Sequence, residues 1–292
     1  MKIGWIGVGI MGRPMCAHLL NAKHDVTVYS RSPQKAEELV GAKLAGSAGQ
    51  ATAGAEAVFS IVGYPMDVEE LYFGKEGIIA TADTGCVLVD MTTSSPELAV
   101  RIAEQARSRG LMALDAPVSG GDVGAREAKL AIMVGGEQKA FDRIRPLFEL
   151  MGKTIALMGP PGSGQHSKMA NQIAIASTMI GVVESLLYAR SANLNLHALI
   201  DIIGTGAAAS WSLNNLGRRI ANGDFNPGFM IHHFVKDMGI ALAEAKRMKL
   251  NLNGLSLAES FYQRALERGL ADRGTQALFQ VLDDLVPREG HK

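Results

Sequence analysis

Cysteine is nearly missing from this chain of 292 residues: only Cys16 and Cys86 occur. Two thiols make no disulfide framework and no thiolate metal cluster, and both lie in apolar stretches that point to buried free thiols. An excess of charge is missing too. The 29 Lys and Arg residues balance the 29 Asp and Glu residues, which argues against a broad basic face for nucleic acid or an anionic membrane. The seven histidines include one adjacent pair, His232-His233, with no third ligand at metal spacing, so no metal is expected. The first residues read as a strand and lack the basic stretch and small-residue cleavage site of a secretory leader. The most apolar helical run, Met169 to Val183, is shorter than a bilayer span and carries Asn171, Gln172, Ser177 and Thr178. A cytoplasmic protein with neither nucleic-acid nor membrane partners is the expectation.

What the chain does have is apolar residues, 47% of the total, and 33 glycines. From residue 1 to about 158 short apolar runs alternate with helical patterns. The runs are Lys2–Ile6, Val26–Tyr29, Ala57–Val62, Val87–Asp90, Met112–Ala116, Leu130–Val134 and Thr154–Leu157. Amphipathic segments such as Pro33–Val40 and Pro96–Arg109 lie between them. Alternation of this kind builds βαβ units and a mostly parallel sheet, and the late pair of strands can include an antiparallel one. Gly159-Pro160-Pro161-Gly162-Ser163-Gly164 is the clearest break. After it strand signals stop. Residues 165 to about 192 read as one long helix, apolar nearly all round and therefore buried, most simply between two domains. Helices follow at about His197–Gly204, Leu213–Asn222, Phe234–Met248, Leu255–Arg268 and Gln276–Val286. The expected fold is an α/β Rossmann-type domain over 1–160 and an all-α domain over 161–292, with the long helix at their interface.

The opening strand runs into Gly7-Val8-Gly9-Ile10-Met11-Gly12. In a dinucleotide-binding turn the first glycine bends the chain, the second lets the backbone approach a pyrophosphate, and the third lets the helix pack on the strand. The helix N-terminus, from about Ile10, then points free N–H groups at the phosphates. An acidic residue at the end of the second strand commonly binds the ribose 2′-hydroxyl in NAD-specific folds. Here that position holds Ser30, followed by Arg31 and Ser32, with Lys35 close by. A hydroxyl–Arg–hydroxyl cluster suits a 2′-phosphate, so NADP is favoured over NAD. The bland alternative makes Arg31 a solvated turn residue.

Three further groups carry chemistry. Asp115-Ala116-Pro117-Val118-Ser119-Gly120-Gly121 lies at the carboxyl end of a strand, where open α/β sheets bind ligands. Ser119 with the N–H groups of Gly120 and Gly121 can hold a carboxylate; an ordinary glycine turn is the competing reading. Lys168 and Asn171 share one face of the long helix at i, i+3. A lysine in an apolar helix is costly to bury unless it works or is paired, and it can serve as a proton donor and acceptor. Lys236-Asp237 opens a helix, where an acid can simply favour the dipole.

Together these stretches resemble the β-hydroxyacid dehydrogenase family, which includes 3-hydroxyisobutyrate dehydrogenase, tartronate semialdehyde reductase and the glyoxylate/succinic semialdehyde reductases. The resemblance is carried by Gly7 to Met15, Asp115 to Gly121, the Gly162-x-Gly164-Gln165-x-x-Lys168-x-x-Asn171 run and Lys236-Asp237-Met238. It implies Lys168 as the catalytic lysine, Ser119, Gly120 and Gly121 as the carboxylate loop, and Asn171 as a substrate-orienting amide. It implies cofactor contacts at Thr93 and Lys236, and at Val62 and Pro65 in the loop beside the nicotinamide. Thr92 stands where the family usually has Ser. The loop Val62-Gly63-Tyr64-Pro65 departs from the family's polar pattern. Asp237 would lie by the substrate, and Trp211 and Phe234 would shape the pocket or pack in a core. The implied partner is a small aldehyde or alcohol bearing a carboxylate, with assembly as a homodimer or homotetramer through the helical domain. Imine and sulfonate-aldehyde reduction, and a non-catalytic NADP sensor or scaffold, stay open as alternatives. Lys168 weighs against imine chemistry and against the sensor, and the chain is too short for the helical domain of 6-phosphogluconate dehydrogenases.

Overall fold

A computed structural model describes residues 1–285. The chain divides into two compact units, Met1–Lys168 and Met169–Lys292. The first is built on a nine-stranded sheet. Its strands are β1 (Lys2–Ile6), β2 (Asp25–Tyr29), β3 (Lys43–Leu44), β4 (Ala57–Ser60), β5 (Val87–Asp90), β6 (Met112–Asp115), β7 (Val118–Ser119), β8 (Leu130–Gly136) and β9 (Gly152–Gly159). The order 3-2-1-4-5-6 is parallel throughout, which is the dinucleotide-binding arrangement. β8 runs antiparallel to β6 and β7, and β9 is parallel to β8. The late pair thus runs against the main sheet.

The parallel strands are buried on both faces, which is why they read as unbroken apolar runs. Ile3 and Trp5 of β1, Ala57 and Phe59 of β4, and Val87 and Val89 of β5 enter one core. Ile6, Val58 and Leu88 enter a second, on the other face. The period of two along each strand sets this division. Trp5 stacks on Phe59 with ring centroids 5.5 Å apart, and Phe148 meets Phe59 edge-on at 6.2 Å.

Several expected boundaries move. β4 ends at Ser60 rather than Val62, because the chain leaves the sheet there and the Val62 N–H bonds a side chain instead of a strand. The helix expected over Pro33–Val40 stops at Glu37, and Val40 stands 93% exposed. β3 and β7 are two residues each, too short to leave a periodic signal. Helices at Ala48–Thr52, Pro65–Phe73, Ile78–Thr81, Gly121–Arg126 and Gln138–Phe148 were not distinguished in the sequence pattern.

The long helix spans Ser163–Ser191, and the unit boundary falls within it. Two expectations about it change. At 29 residues it is long and apolar enough, by length and composition, to cross a membrane; the run Met169 to Val183 is only its most apolar part. It is also not buried all round. Met169, Ala176, Met179, Val183 and Leu186 join the core of the second unit, while Ala170, Ala174, Ser177, Gly181, Glu184 and Tyr188 form an exposed stripe. Small residues along that stripe raise the apolar count without giving much area to bury.

The second unit continues with helices Leu196–Ile203, Arg218–Ala221, Ile231–Arg247, Asn253–Glu267 and Leu278–Asp283. The segment expected as one helix over Leu213–Asn222 begins as a π-helix, Ser212–Gly217. The segment expected over Gln276–Val286 begins as a 3₁₀ turn and is helical to Asp283; Val286 lies outside the described residues.

Candidate active site

The glycine turn after β1 is shaped by three different demands. Gly7 has φ +98°, donates its N–H to Tyr29 O at 3.0 Å, and has no room for a Cβ beside the Ile61 carbonyl. A Cβ on Gly12 would strike the Gly7 carbonyl, so the helix can close on the turn only as glycine. Gly9 is different: a Cβ there would meet nothing within 4 Å. The space above Gly9 is open, and Ile10 beside it is 58% exposed. A backbone left open in this way is what close approach of a pyrophosphate requires. Val8 is buried and serves the core. The helix itself starts at Gly12, after Ile10 and Met11, because the turn occupies those residues.

At the end of β2, Ser30 Oγ accepts the Ser32 N–H at 3.1 Å, and Arg31 and Lys35 are exposed. Arg31 is not simply solvated: its Nη1 donates to Asp67 Oδ1 at 2.8 Å. Asp67 went unremarked in the sequence because it lies 36 residues away.

Asp90 ends β5, fully enclosed. Its Oδ1 accepts from Ser60 Oγ and from the Thr92 N–H, each at 3.1 Å, and Ser60 Oγ lies 2.9 Å from Tyr72 Oη. Burial pushes the Asp90 carboxyl up to about 6, against the pull of hydrogen bonds from Thr92 and Ser60. Thr92 Oγ1 accepts the Val62 N–H at 3.0 Å, so this network ties down the loop that carries Val62 and Pro65. The adjacent Thr93 is half-buried. A cleft of about 440 Å³ opens at the starts of the Pro65–Phe73 and Pro96–Ser108 helices, lined by Tyr64, Pro65, Met66, Glu69, Ser95, Glu97, Leu98 and Arg101.

Asp115, at the end of β6, anchors the long helix. Its two carboxylate oxygens accept the Gly162 and Gln165 N–H groups, both at 2.8 Å. The Gln165 side chain then donates to Thr92 O at 2.7 Å and accepts the Ser94 N–H at 3.0 Å. Glycine is needed at 164, where a Cβ would crowd the Asp115 carboxylate at 2.8 Å. One turn further, Lys168 is 7% exposed and its Nζ donates to Val118 O at 2.8 Å. That carbonyl precedes half-buried Ser119, then Gly120 and Gly121, whose φ angles of +128° and +63° are left-handed conformations that favour glycine. Within this unit the structure brings Lys168 to the loop of Ser119, Gly120 and Gly121, although 50 residues separate Lys168 from Val118.

In the second unit a polar chain links four residues. Asn171 Nδ2 donates to Gln172 Oε1 at 2.8 Å, and Gln172 Nε2 donates to Asp237 Oδ2 at 2.6 Å. Lys236 Nζ lies 3.0 Å from Asp237 Oδ1. The helix that carries them begins at Ile231, so Lys236 and Asp237 do not open it and the dipole reading of Asp237 fails. Asp237 is 2% exposed and braces Gln172. Phe234 is fully buried between Phe229 and Tyr262, with ring centroids 5.6 and 5.0 Å away. It is a core residue with no free surface for a pocket wall. Trp211 is 64% exposed and is not core.

Sequence reasoning passed over Asp67, Asp90, Gln165 and Gln172 as site components. Asp90 had a visible signal, a carboxylate closing the apolar run Val87-Leu88-Val89, and Gln165 stands in the run Gly162-x-Gly164-Gln165-x-x-Lys168 that carries the family resemblance. Asp67 and Gln172 had none. Among the described residues no group of three His, Cys, Asp or Glu side chains is placed to hold a metal.

Comparison with known proteins covers both units. Residues 2–159 match the NAD binding domain of 6-phosphogluconate dehydrogenase, and residues 162–282 match the NAD-binding domain of NADP-dependent 3-hydroxyisobutyrate dehydrogenase. A probable 3-hydroxyisobutyrate dehydrogenase-like 1, mitochondrial, of Arabidopsis thaliana is 49% identical over 97% of this chain and 86% of its own length. The 2-hydroxy-3-oxopropionate reductase of Escherichia coli is 39% identical over 97% of both chains. Among solved structures, Mycobacterium tuberculosis 3-hydroxyisobutyrate dehydrogenase with L-serine superposes with a TM-score of 0.87 at 30% identity, covering 96% of this chain and 98% of that one. With the nucleotide cradle, both halves and these relatives in agreement, the chain belongs to the 3-hydroxyisobutyrate dehydrogenase family of β-hydroxyacid dehydrogenases, NAD(P)-dependent oxidoreductases.

Proposed function

We propose that this enzyme interconverts a short 3-hydroxy acid and its aldehyde acid, with Lys168 as general acid and base. The observation that carries this reading is the placement of buried Lys168 Nζ 2.8 Å from Val118 O, next to Ser119. The nicotinamide, when bound, supplies or accepts the hydride. In reduction the Lys168 ammonium gives a proton to the oxygen that was the carbonyl; in oxidation neutral Lys168 takes the hydroxyl proton, as microscopic reversibility demands. The ammonium also steadies the charge developing on that oxygen. Ser119 with Gly120 and Gly121 holds the carboxylate, and Asn171, on the same helix as Lys168, orients the substrate. Gly7, Gly9 and Gly12 shape the pyrophosphate cradle, and the loops of Val62, Pro65 and Thr93 bound the nicotinamide side.

The E. coli relative acts on 2-hydroxy-3-oxopropionate by its name, and the Arabidopsis relative is named for 3-hydroxyisobutyrate. Tartronate, methylmalonate and succinic semialdehydes are accordingly the first substrates to try. Ser30, Arg31 and Ser32 support NADP as the preferred cofactor, and one matching family description is of an NADP-dependent enzyme. The test is steady-state reduction of these aldehyde acids with NADPH and NADH, with Lys168→Ala as control. A general acid–base group contributes roughly 10²–10⁴-fold, so turnover should fall by that factor while cofactor affinity stays within a few-fold. Turnover that survives in Lys168→Ala would overturn the assignment.

A further inference from the structure

We infer that Asp67 is a specificity-determining residue for the cofactor, a carboxylate that restrains Arg31 and lowers selectivity for a 2′-phosphate. The inference rests on the reading of Arg31 as a 2′-phosphate contact. β2 ends at Tyr29 and Ser30 follows it, so the strand end supplies no acid for a ribose hydroxyl. An acid nevertheless arrives there from the segment that follows β4. Asp67, in the first turn of the Pro65–Phe73 helix, reaches Arg31 Nη1 at 2.8 Å through Oδ1. Its other oxygen accepts the Tyr64 N–H at 3.0 Å, which fixes the carboxylate from behind.

The two partners are held very unequally. The Asp67 side chain is 16% exposed, whereas the Arg31 side chain is 71% exposed. The carboxylate is therefore the fixed member and the guanidinium the movable one. An ion pair so open to solvent is weak and breaks readily, so Arg31 can turn to a phosphate. Asp67 stays behind, and a phosphate drawn to the same guanidinium meets its negative charge. A free 2′-hydroxyl has the opposite relation: it can donate a hydrogen bond to a carboxylate, as the ribose hydroxyls do to the acid of NAD-specific folds. Arg31 and Asp67 thus favour the two cofactors separately, one residue for each.

The experiment measures binding of two cofactor fragments, adenosine 2′,5′-bisphosphate and ADP, by calorimetry, independently of turnover. Asp67→Asn keeps an acceptor for the Tyr64 N–H and removes the charge. The ratio of affinities should shift about tenfold toward the bisphosphate, the size of a like-charge repulsion at a solvated site. An unchanged ratio, or equal loss for both fragments, overturns the inference. Arg31→Ala separates it from the reading beneath: if Arg31→Ala leaves the ratio untouched, the 2′-phosphate assignment itself fails. If Arg31→Ala collapses the ratio and Asp67→Asn does not raise it, only the role of Asp67 fails. Asp67→Ser, with a shorter acceptor, repeats the test should the Asn variant fold poorly, and melting curves without ligand report on that.

Discussion

Raising the pH from about 4 to about 7 should weaken the fold through Asp115, the reverse of what a salt-bridged carboxylate does. Asp115 is 4% exposed. Backbone N–H groups of Gly162 and Gln165 donate to it, yet burial outweighs them and lifts the carboxyl from 3.8 to about 6. In the unfolded chain the same group titrates near about 3.9. Between those values the folded protein keeps a proton that the unfolded chain has released. The stabilisation from this group is therefore full below about pH 3.9 and is lost as pH rises through about 6. A rise from 3.8 to about 6 corresponds to roughly 3 kcal/mol. Asp90, buried and also raised to about 6, acts in the same direction, so the wild-type curve alone does not isolate Asp115. The comparison with Asp115→Asn removes the Asp115 contribution together with the part of the Asp90 rise that the Asp115 charge causes. Urea unfolding of both proteins across this range should show the variant gaining on the wild type by roughly 3 kcal/mol toward neutral pH. If the stability of the variant minus that of the wild type stays flat, or falls, as pH rises, the helix-terminal donors outweigh burial and the reasoning is refuted.

The glycine turn separates binding from stability. Gly9→Ala meets nothing within 4 Å and should melt like the wild type, yet lose cofactor affinity in a titration, because the methyl group occupies the cradle. Gly12→Ala drives a Cβ into the Gly7 carbonyl and should lose roughly 1–3 kcal/mol in denaturant unfolding, from overpacking. Phe234→Ala, emptying a fully buried ring site between Phe229 and Tyr262, should cost about 3–5 kcal/mol. A loss well under 1 kcal/mol would contradict the placement of Phe234 in the core.

The parallel sheet was legible because strands buried on both faces are apolar without interruption, as in Val87-Leu88-Val89. The glycine turn was legible because its chemistry depends on missing side chains at fixed spacing. Elements that stand on few residues were not: β3 and β7 have two residues each and depend on neighbours for their hydrogen bonds. Apolar composition also misled. Ala170, Ala174 and Gly181 counted toward a helix buried all round, yet lie on an exposed stripe. Phe234 was weighed equally as pocket wall and core, and only its neighbours decide that in favour of the core.

The site was legible as a set of positions and not as a set of pairs. Lys168 and Ser119 could each be marked from local motifs, but the contact of Lys168 with Val118 O requires β6 and β7 to continue into the loop of Ser119, Gly120 and Gly121 beside the start of the long helix. The same holds for Arg31 and Asp67. Arg31 follows β2 and Asp67 follows β4, and the strand order 3-2-1-4 places β2 and β4 on either side of β1. The glycine turn leaves β1 between them, at the point where successive connections depart in opposite directions along the sheet. Any residue just past β2 is thereby brought to the same carboxyl edge as residues just past β4, whatever their separation in the chain. An arginine in the first loop thus has its electrostatic partner chosen by topology, and a cofactor preference read from the first loop alone omits the charge that opposes it.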